Sequence, residues 1–318
     1  MNKIFYALLI ILFSSLPINA TDLAHQTEDE SAPIVFMTKN INPEGLNRIY
    51  EALKWEPDGK IAVKISTGEP PASNYLRPEL IKDLVQKLKG TLVECNTAYN
   101  GSRAESEMHM QVIKDHGFLN IADVDIMDRD GQIELTVSKG KNLTGNLVGK
   151  NFKNYDSYLI LSHFKGHAMA GFGGAIKNTS IGIASRSGKA RIHSGGKSDT
   201  NPWGWLQDAF TESMAEAAKS VSDALGNGRN IRYINVMNRL SIDCDCNGHP
   251  AEPDIHDIGI LGSRDPVALD QACVDLIKVA PGNASFVKRM NQLRAEHALE
   301  HGAIIKLGSR NYRLIFVD

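Results

Sequence analysis

The chain has 318 residues, with 35 lysines and arginines against 37 aspartates and glutamates and a formal net charge of −2. That balance excludes the basic footprint of a nucleic-acid-binding protein. Beyond the first twenty residues no apolar run approaches the ~18 residues of a membrane-spanning helix, and four cysteines are too few for a disulfide framework in so long a chain.

Residues 1–20 read as a Sec-type signal peptide. Lys3 supplies the positive end, residues 4–13 the apolar core, and Pro17-Ile18-Asn19-Ala20 a small-residue cleavage site. The mature chain is therefore expected to be exported, periplasmic or secreted, with no transmembrane segment. Residues 21–32 are acidic and polar and read as a flexible leader. Residues 33–318 read as one α/β domain, with a lobe boundary expected near 147–154.

Within that domain 61–66 (IAVKIS) is a strand. Residues 78–88 place Leu80, Ile81, Leu84, Val85 and Leu88 on one helical stripe that Gly90 ends, and 91–95 (TLVEC) is the next strand. A helix over 106–116 precedes short strands over 121–127 and 133–137, and 156–162 (DSYLILS) is a buried strand. Further on, a helix over 205–225 stops at Gly226-Asn227-Gly228. Strands over 231–237 and 257–262 flank the loop DCDCNGHPAEP, Asp265 caps a helix over 266–279, and a helix over 293–301 and a strand over 312–317 close the chain. This alternation predicts an α/β fold: a mainly parallel sheet with helices on both faces. In such sheets ligands bind at the carboxyl ends of the strands.

The segment 162–196, SHFKGHAMAGFGGAIKNTSIGIASRSGKARIHSGG, follows one of those ends. Glycine admits tight turns and close ligand approach, so Gly171, Gly173 and Gly174 mark a binding loop. Among them His167 is a candidate acid/base or ligand, and Lys177 an anion-binding amine or nucleophile. In an extended stretch Lys189, Arg191 and His193 would share a face fit for a phosphate or carboxylate. The plain alternatives are a surface histidine, a solvated lysine and a solvated basic strand. Cys244, Cys246, His249 and His256 form a C-x-C-x2-H-x6-H pattern whose donors suit zinc or an iron centre. A bridge between Cys244 and Cys246, two residues apart, would be strained, and their plain reading is two thiols in or near a strand.

The run GHAMAGFGGAIKN, with VKIS upstream and DCDC and DIGILGSRDPVALDQAC downstream, resembles the family numbered 362 among the domains of unknown function (DUF 362). Some members carry an iron–sulfur domain, whose CxxCxxC run is absent here. More distantly, His167-Ala168-Met169-Ala170-Gly171-Phe172, with Lys177 ten residues after the histidine and His193 sixteen further, is similar to the nickel-pincer lactate racemases. That resemblance implies acid/base or hydride chemistry at His167, cofactor anchoring at Lys177, and metal ligation at His193. Arg77-Pro78 is similar to an Arg-Pro that binds substrate or cofactor there. The second catalytic histidine of that family would fall near Ser102-Arg103, where this chain has none; His109 is nearest. The expected function is binding of a metal or metal-containing cofactor (nickel-containing, iron–sulfur or zinc) with redox or proton-transfer chemistry on a small anionic molecule held by Arg77 and Arg103. The alternative is a non-catalytic metal or iron–sulfur protein built on Cys244 and Cys246.

Overall fold

A computed structural model describes residues 23–318. The expected signal peptide, and the first two residues of the expected leader, lie outside the described residues. In chain order the elements are β1 (Ile34–Thr38), α1 (Pro43–Ala52), β2 (Ile61–Lys64), α2 (Pro78–Leu88), β3 (Thr91–Glu94), α3 (Ser106–Asp115), β4 (Val124–Ile126), β5 (Gln132–Thr136) and β6 (Gly145–Gly149). Then come β7 (Ser157–His163), β8 (Lys165–His167), β9 (Gly171–Gly173), α4 (Ala175–Ser180), α5 (Arg186–His193) and α6 (Gln207–Ala224). The chain finishes with β10 (Ile231–Met237), β11 (Gly259–Ser263), α7 (Pro266–Val279), α8 (Ala284–Gln292), α9 (His297–Ile304) and β12 (Arg313–Phe316).

Eight strands form one sheet in the order β12-β1-β11-β10-β7-β2-β3-β4. All neighbours are parallel except β11, which runs against both β1 and β10. The fold is therefore α/β with a mainly parallel sheet, as the alternation predicts. The side-chain period of two divides each central strand between two cores. Leu159 and Leu161 of β7 join Ile49, Leu84 and Ile113 of α1–α3 on one face, while Tyr158 and Ile160 join Ile176, Val221 and Leu269 of α4, α6 and α7 on the other. Local chemistry starts the helices where the sequence says. Pro78 stands at the first turn of α2, and Asp265 caps α7 by accepting from Val267 N and Ala268 N, both at 2.9 Å. No described helix is long and apolar enough to cross a membrane.

Several expectations are corrected. Of the expected leader, residues 23–27 are docked, not free: Leu23 is buried, the His25 ring meets the buried Asp275 carboxylate at 3.1 Å, and Thr27 N donates to Tyr312 O at 2.9 Å, while residues 28–31 are exposed. The segment 147–154 carries Val148 and Phe152, which belong to the main apolar core. A 3-10 turn over Phe118–Asn120 shortens the predicted 121–127 strand to β4, and α8 precedes a last helix that starts only at His297. The glycine-rich segment is no open loop. It folds into the β8–β9 hairpin followed by α4 and α5. Because α5 is helical, Lys189 and His193 share a face as i and i+4, and Arg191 points elsewhere, to Glu134 and Asp199.

Candidate functional site

A cavity of about 330 Å³ opens where the carboxyl ends of β2, β3 and β7 meet the glycine-rich segment. Its floor is ionic. Lys64 ends β2 fully buried, with Nζ 2.7 Å from Glu94 Oε1 at the end of β3 and 3.0 Å from Asn178 Oδ1. Burial works against the Glu94 anion, but Lys64 and then Arg103 outweigh it and hold the carboxyl at about 2. Arg103 is itself buried, donating to Glu69 Oε2 at 3.0 Å and to the Tyr99 hydroxyl at 3.0 Å.

The wall comes from the β8–β9 hairpin, α4 and α5. The backbone passes through Gly171 at φ +80°, which lets the hairpin turn back onto His167. His167 Nδ1 accepts from Met169 N at 3.1 Å and from Ala170 N at 2.9 Å. Burial, and then the neighbouring Lys177, His193 and Lys165, push its pKa well below the usual value, so the ring is neutral. With Nδ1 accepting, the remaining proton sits on Nε2. His193 has the opposite arrangement. Its Nδ1 donates to Lys189 O at 2.7 Å, and its ring stacks on Phe210 at 4.6 Å. Burial brings its pKa down to about 4, which leaves a free lone pair on Nε2, the arrangement of a metal-ligating imidazole oriented by a carbonyl.

Lys177 lies in the third position of α4. Asp270 pins the start of that helix, accepting from Ala175 N at 2.7 Å and Ile176 N at 2.9 Å. Gly174 must lack a Cβ here, because one would stand 2.3 Å from Asp270 Oδ1. Among the described residues Lys177 Nζ makes no hydrogen bond and no ion pair, although the side chain is only partly exposed. Burial first, and then Lys165, lower its pKa to about 7. Lys165, Lys189, Lys64 and Arg103 bring the basic lining residues to five, against the carboxylates of Glu94 and Asp245. The excess makes the cavity a receptor for anions.

The remaining wall is the loop after β10. Asp245 is buried between Lys165 Nζ and His163 Nδ1, each at 2.8 Å; burial works against its anion, but Lys165 first and then the contact with the His163 ring hold its carboxyl below the usual range. Cys244 and Cys246 flank it, and the structure joins them in a disulfide. This corrects their reading as separate thiols, and in the bridged state neither sulfur is a thiolate donor. Their sulfurs and a ring nitrogen of His167 nevertheless lie within 4.8 Å of one another.

The structure thus brings together His167, Lys177, His193, Arg103, Gly173, Gly174, Cys244 and Cys246 around one cavity. It does not bring Arg77 there: its guanidinium stacks 3.9 Å from the Tyr75 ring and donates to Ser73 O. His249 is exposed on the far part of its loop, and Gly171 lies against Ala295. His109, nearest to the absent second histidine, is buried between Thr67 Oγ1 at 2.8 Å and Asn96 Oδ1 at 3.2 Å, away from the cavity lining. Sequence reasoning missed Glu94, Tyr99 and Asn178 as lining residues. Only Glu94 carried a signal: a charge at the end of an otherwise apolar strand, as Lys64 is in its neighbour.

Fold and cavity define an α/β protein with a cationic ligand site at the carboxyl edge of its sheet. The profile of the family described as "Domain of unknown function (DUF362)" matches residues 61–275, and the chain belongs to that family. No curated protein matches it. Among solved structures it is similar to the lactate racemase apoprotein from Thermoanaerobacterium thermosaccharolyticum, at 15% identity and a TM-score of 0.45, over 77% of this chain and 57% of that one. It is also similar to a structural-genomics protein from Thermotoga maritima, at 12% identity and a TM-score of 0.42, over 84% and 59%. The chain therefore spans less than two thirds of either protein's length.

Proposed function

We propose that this chain is exported and that the cavity holds a metal-bearing cofactor and a small anionic molecule, for a redox or proton-transfer reaction. The observation that carries this is the pairing of two neutral histidines with opposite faces. His193 offers an Nε2 lone pair and His167 an Nε2 proton, in a cavity that also holds the unpartnered Lys177 amine. These donors fit such a cofactor: a half-neutral amine able to form a covalent bond, an imidazole donor, and Gly173, whose absent Cβ would meet Lys177 Cδ at 3.3 Å. When bound, the cofactor would supply Lewis-acid or electron-accepting chemistry.

The chain's own residues do the rest. With Nδ1 held by two amides, His167 acts as a neutral hydrogen-bond donor that polarises a ligand oxygen, not as a base. Lys165, Lys189 and Arg103 supply a positive field for a carboxylate or similar anion. The disulfide supports an oxidising compartment, in keeping with the expected signal peptide.

The test is intact mass and metal content of protein purified from its exported form, beside Lys177→Ala, His193→Ala and Cys244→Ser. An adduct lost only in the lysine variant, and metal lost in the His193 variant but kept in the cysteine variant, support the reading. Wild-type protein free of both metal and adduct after anaerobic handling overturns it. A second reading rests on the His167, Cys244 and Cys246 cluster, which becomes a metal site if the disulfide is reduced. It ranks second because His167 would have to surrender both amide bonds to free a lone pair. Metal uptake that requires reductant and vanishes in Cys244→Ser would favour it.

A further inference from the structure

A second cleft, of about 590 Å³, lies at the other edge of the sheet. Arg232 stands near the start of β10 and the first cavity follows that strand's end, so the seven residues of β10, roughly 20 Å, separate the two. Arg229, Arg232, Arg264 and Lys306 line this cleft, and among the described residues none of them has a carboxylate within ion-pairing distance. The two acids present are committed elsewhere. Asp223 pairs with Lys219 at 2.8 Å, and Asp265 accepts from Val267 N, Ala268 N and Ser309 N.

Arg232 is the telling residue, being only 9% exposed. Its Nη1 donates to the carbonyls of Gly228, Arg229 and Ile231, its guanidinium lies 5.5 Å from the Trp55 ring, and its Nε is buried with no partner. A guanidinium so placed without a counter-charge is costly. Its pKa is lowered by burial and then by the neighbouring Arg264, which records the same uncompensated repulsion. An anion in the cleft would relieve both.

We propose that this cleft is a second anion site that takes a phosphate group, held by the guanidinium groups of Arg232 and Arg264 with Lys306 and Arg229 around it. Phosphate suits it better than a carboxylate because several cations converge, and the planar guanidinium fork of Arg264, exposed and without an ion pair among the described residues, matches phosphate oxygens in pairs. The amides that open α7 take no part, since Asp265 already occupies them. The phosphate can belong to a soluble phosphate or to an anionic lipid headgroup.

Trp55 gives a local readout once the other two tryptophans are removed as Trp203→Phe and Trp205→Phe. Inorganic phosphate, and separately vesicles of phosphatidylglycerol or phosphatidylcholine, are titrated while Trp55 emission is followed. A saturable change is expected that weakens about tenfold or more in Arg264→Gln and Arg232→Gln and is unaltered by Lys177→Ala, which reports the first cavity. A change with inorganic phosphate assigns a soluble ligand; one seen only with phosphatidylglycerol vesicles assigns a headgroup. Arg264 and Lys306 are exposed, so their glutamine variants keep the test meaningful if Arg232→Gln fails to fold. No change with any probe, or a change that persists in Arg264→Gln and Lys306→Gln, overturns the proposal.

Discussion

Lys177 should be the most reactive lysine of this protein at neutral pH. With its pKa at about 7, half of its side chains are neutral at pH 7, against roughly one in 2,500 for an ordinary lysine at ~10.4. The ratio is about 10³, and a tenfold loss for reaching a partly buried amine still leaves about a hundredfold preference. Limited acylation between pH 5.5 and 9, read by peptide mass spectrometry, should therefore label Lys177 first among the lysines, with a midpoint near pH 7. Lys165→Gln is the informative perturbation. Lys165 repels the Lys177 ammonium and also occupies Asp245, which attracts it. Removing Lys165 deletes the repulsion and frees the attraction, so both effects raise the Lys177 pKa and slow its labelling at pH 7. A Lys177 midpoint near that of the surface lysines, or faster labelling in Lys165→Gln, would refute the electrostatic argument.

Four further outcomes are expected. Asp270→Ala orphans Ala175 N, Ile176 N and the Asn235 amide, so it should cost about 3–6 kcal/mol in urea denaturation; Gly174→Ala, harmful in wild type because its Cβ meets Asp270, should cost much less in that background, and strict additivity would contradict the pin. Lys64→Met strands the buried Glu94 and should cost about 3–5 kcal/mol, partly restored by adding Glu94→Gln. The folded pKa of Glu94 is depressed from 4.5 to about 2, so its stabilisation is present above pH 4.5 and lost as pH falls towards 2; an acid limb of stability identical in wild type and Glu94→Gln would contradict this. With Cys244 and Cys246 bridged and only Cys95 and Cys273 free, denatured, unreduced protein should titrate two thiols with a disulfide-exchange reagent, and four would show that the bridge is absent.

The elements that were legible in the sequence are those whose signal is local. Helix α2 has its proline start and its stripe of Ile81, Leu84, Val85 and Leu88, and α7 has its Asp265 cap; both match their predicted bounds. Strand β10 matched too, with Ile231, Tyr233, Ile234, Val236 and Met237 outweighing Arg232 and Asn235. What escaped was set by contacts distant in sequence. Nothing local announces that β11 runs antiparallel, because its direction follows from pairing with β1 and β10 on both sides. The ion pair of Lys64 with Glu94 joins residues 30 apart that become neighbours only when β2 lies beside β3. The spacing of His167, Lys177 and His193 did point to one cavity, because hairpin and helices lie consecutively in the chain. The tautomers that separate their roles depend on backbone partners that spacing does not reveal.

The glycines show the same division between local and distant causes. As a sequence they read as room for a ligand, yet several of them serve backbone packing. A Cβ on Gly166 would stand 2.3 Å from Ile242 O, and one on Gly188 would stand 1.9 Å from Leu147 O. Those contacts clamp the hairpin against the Cys244–Cys246 loop and α5 against β6. Gly173 is different, since a Cβ there would meet only lysines of the cavity, Lys177 Cδ at 3.3 Å and Lys165 Cε at 3.8 Å. The cavity therefore owes its position to the packing glycines and its free volume beside the Lys177 amine to Gly173. Alanine at Gly166 should act through folding, whereas alanine at Gly173 should act on the reactivity of Lys177 while stability changes little. Labelling at pH 7 beside urea denaturation separates the two, and a Gly173→Ala protein that loses stability with Lys177 labelling unchanged would erase the distinction.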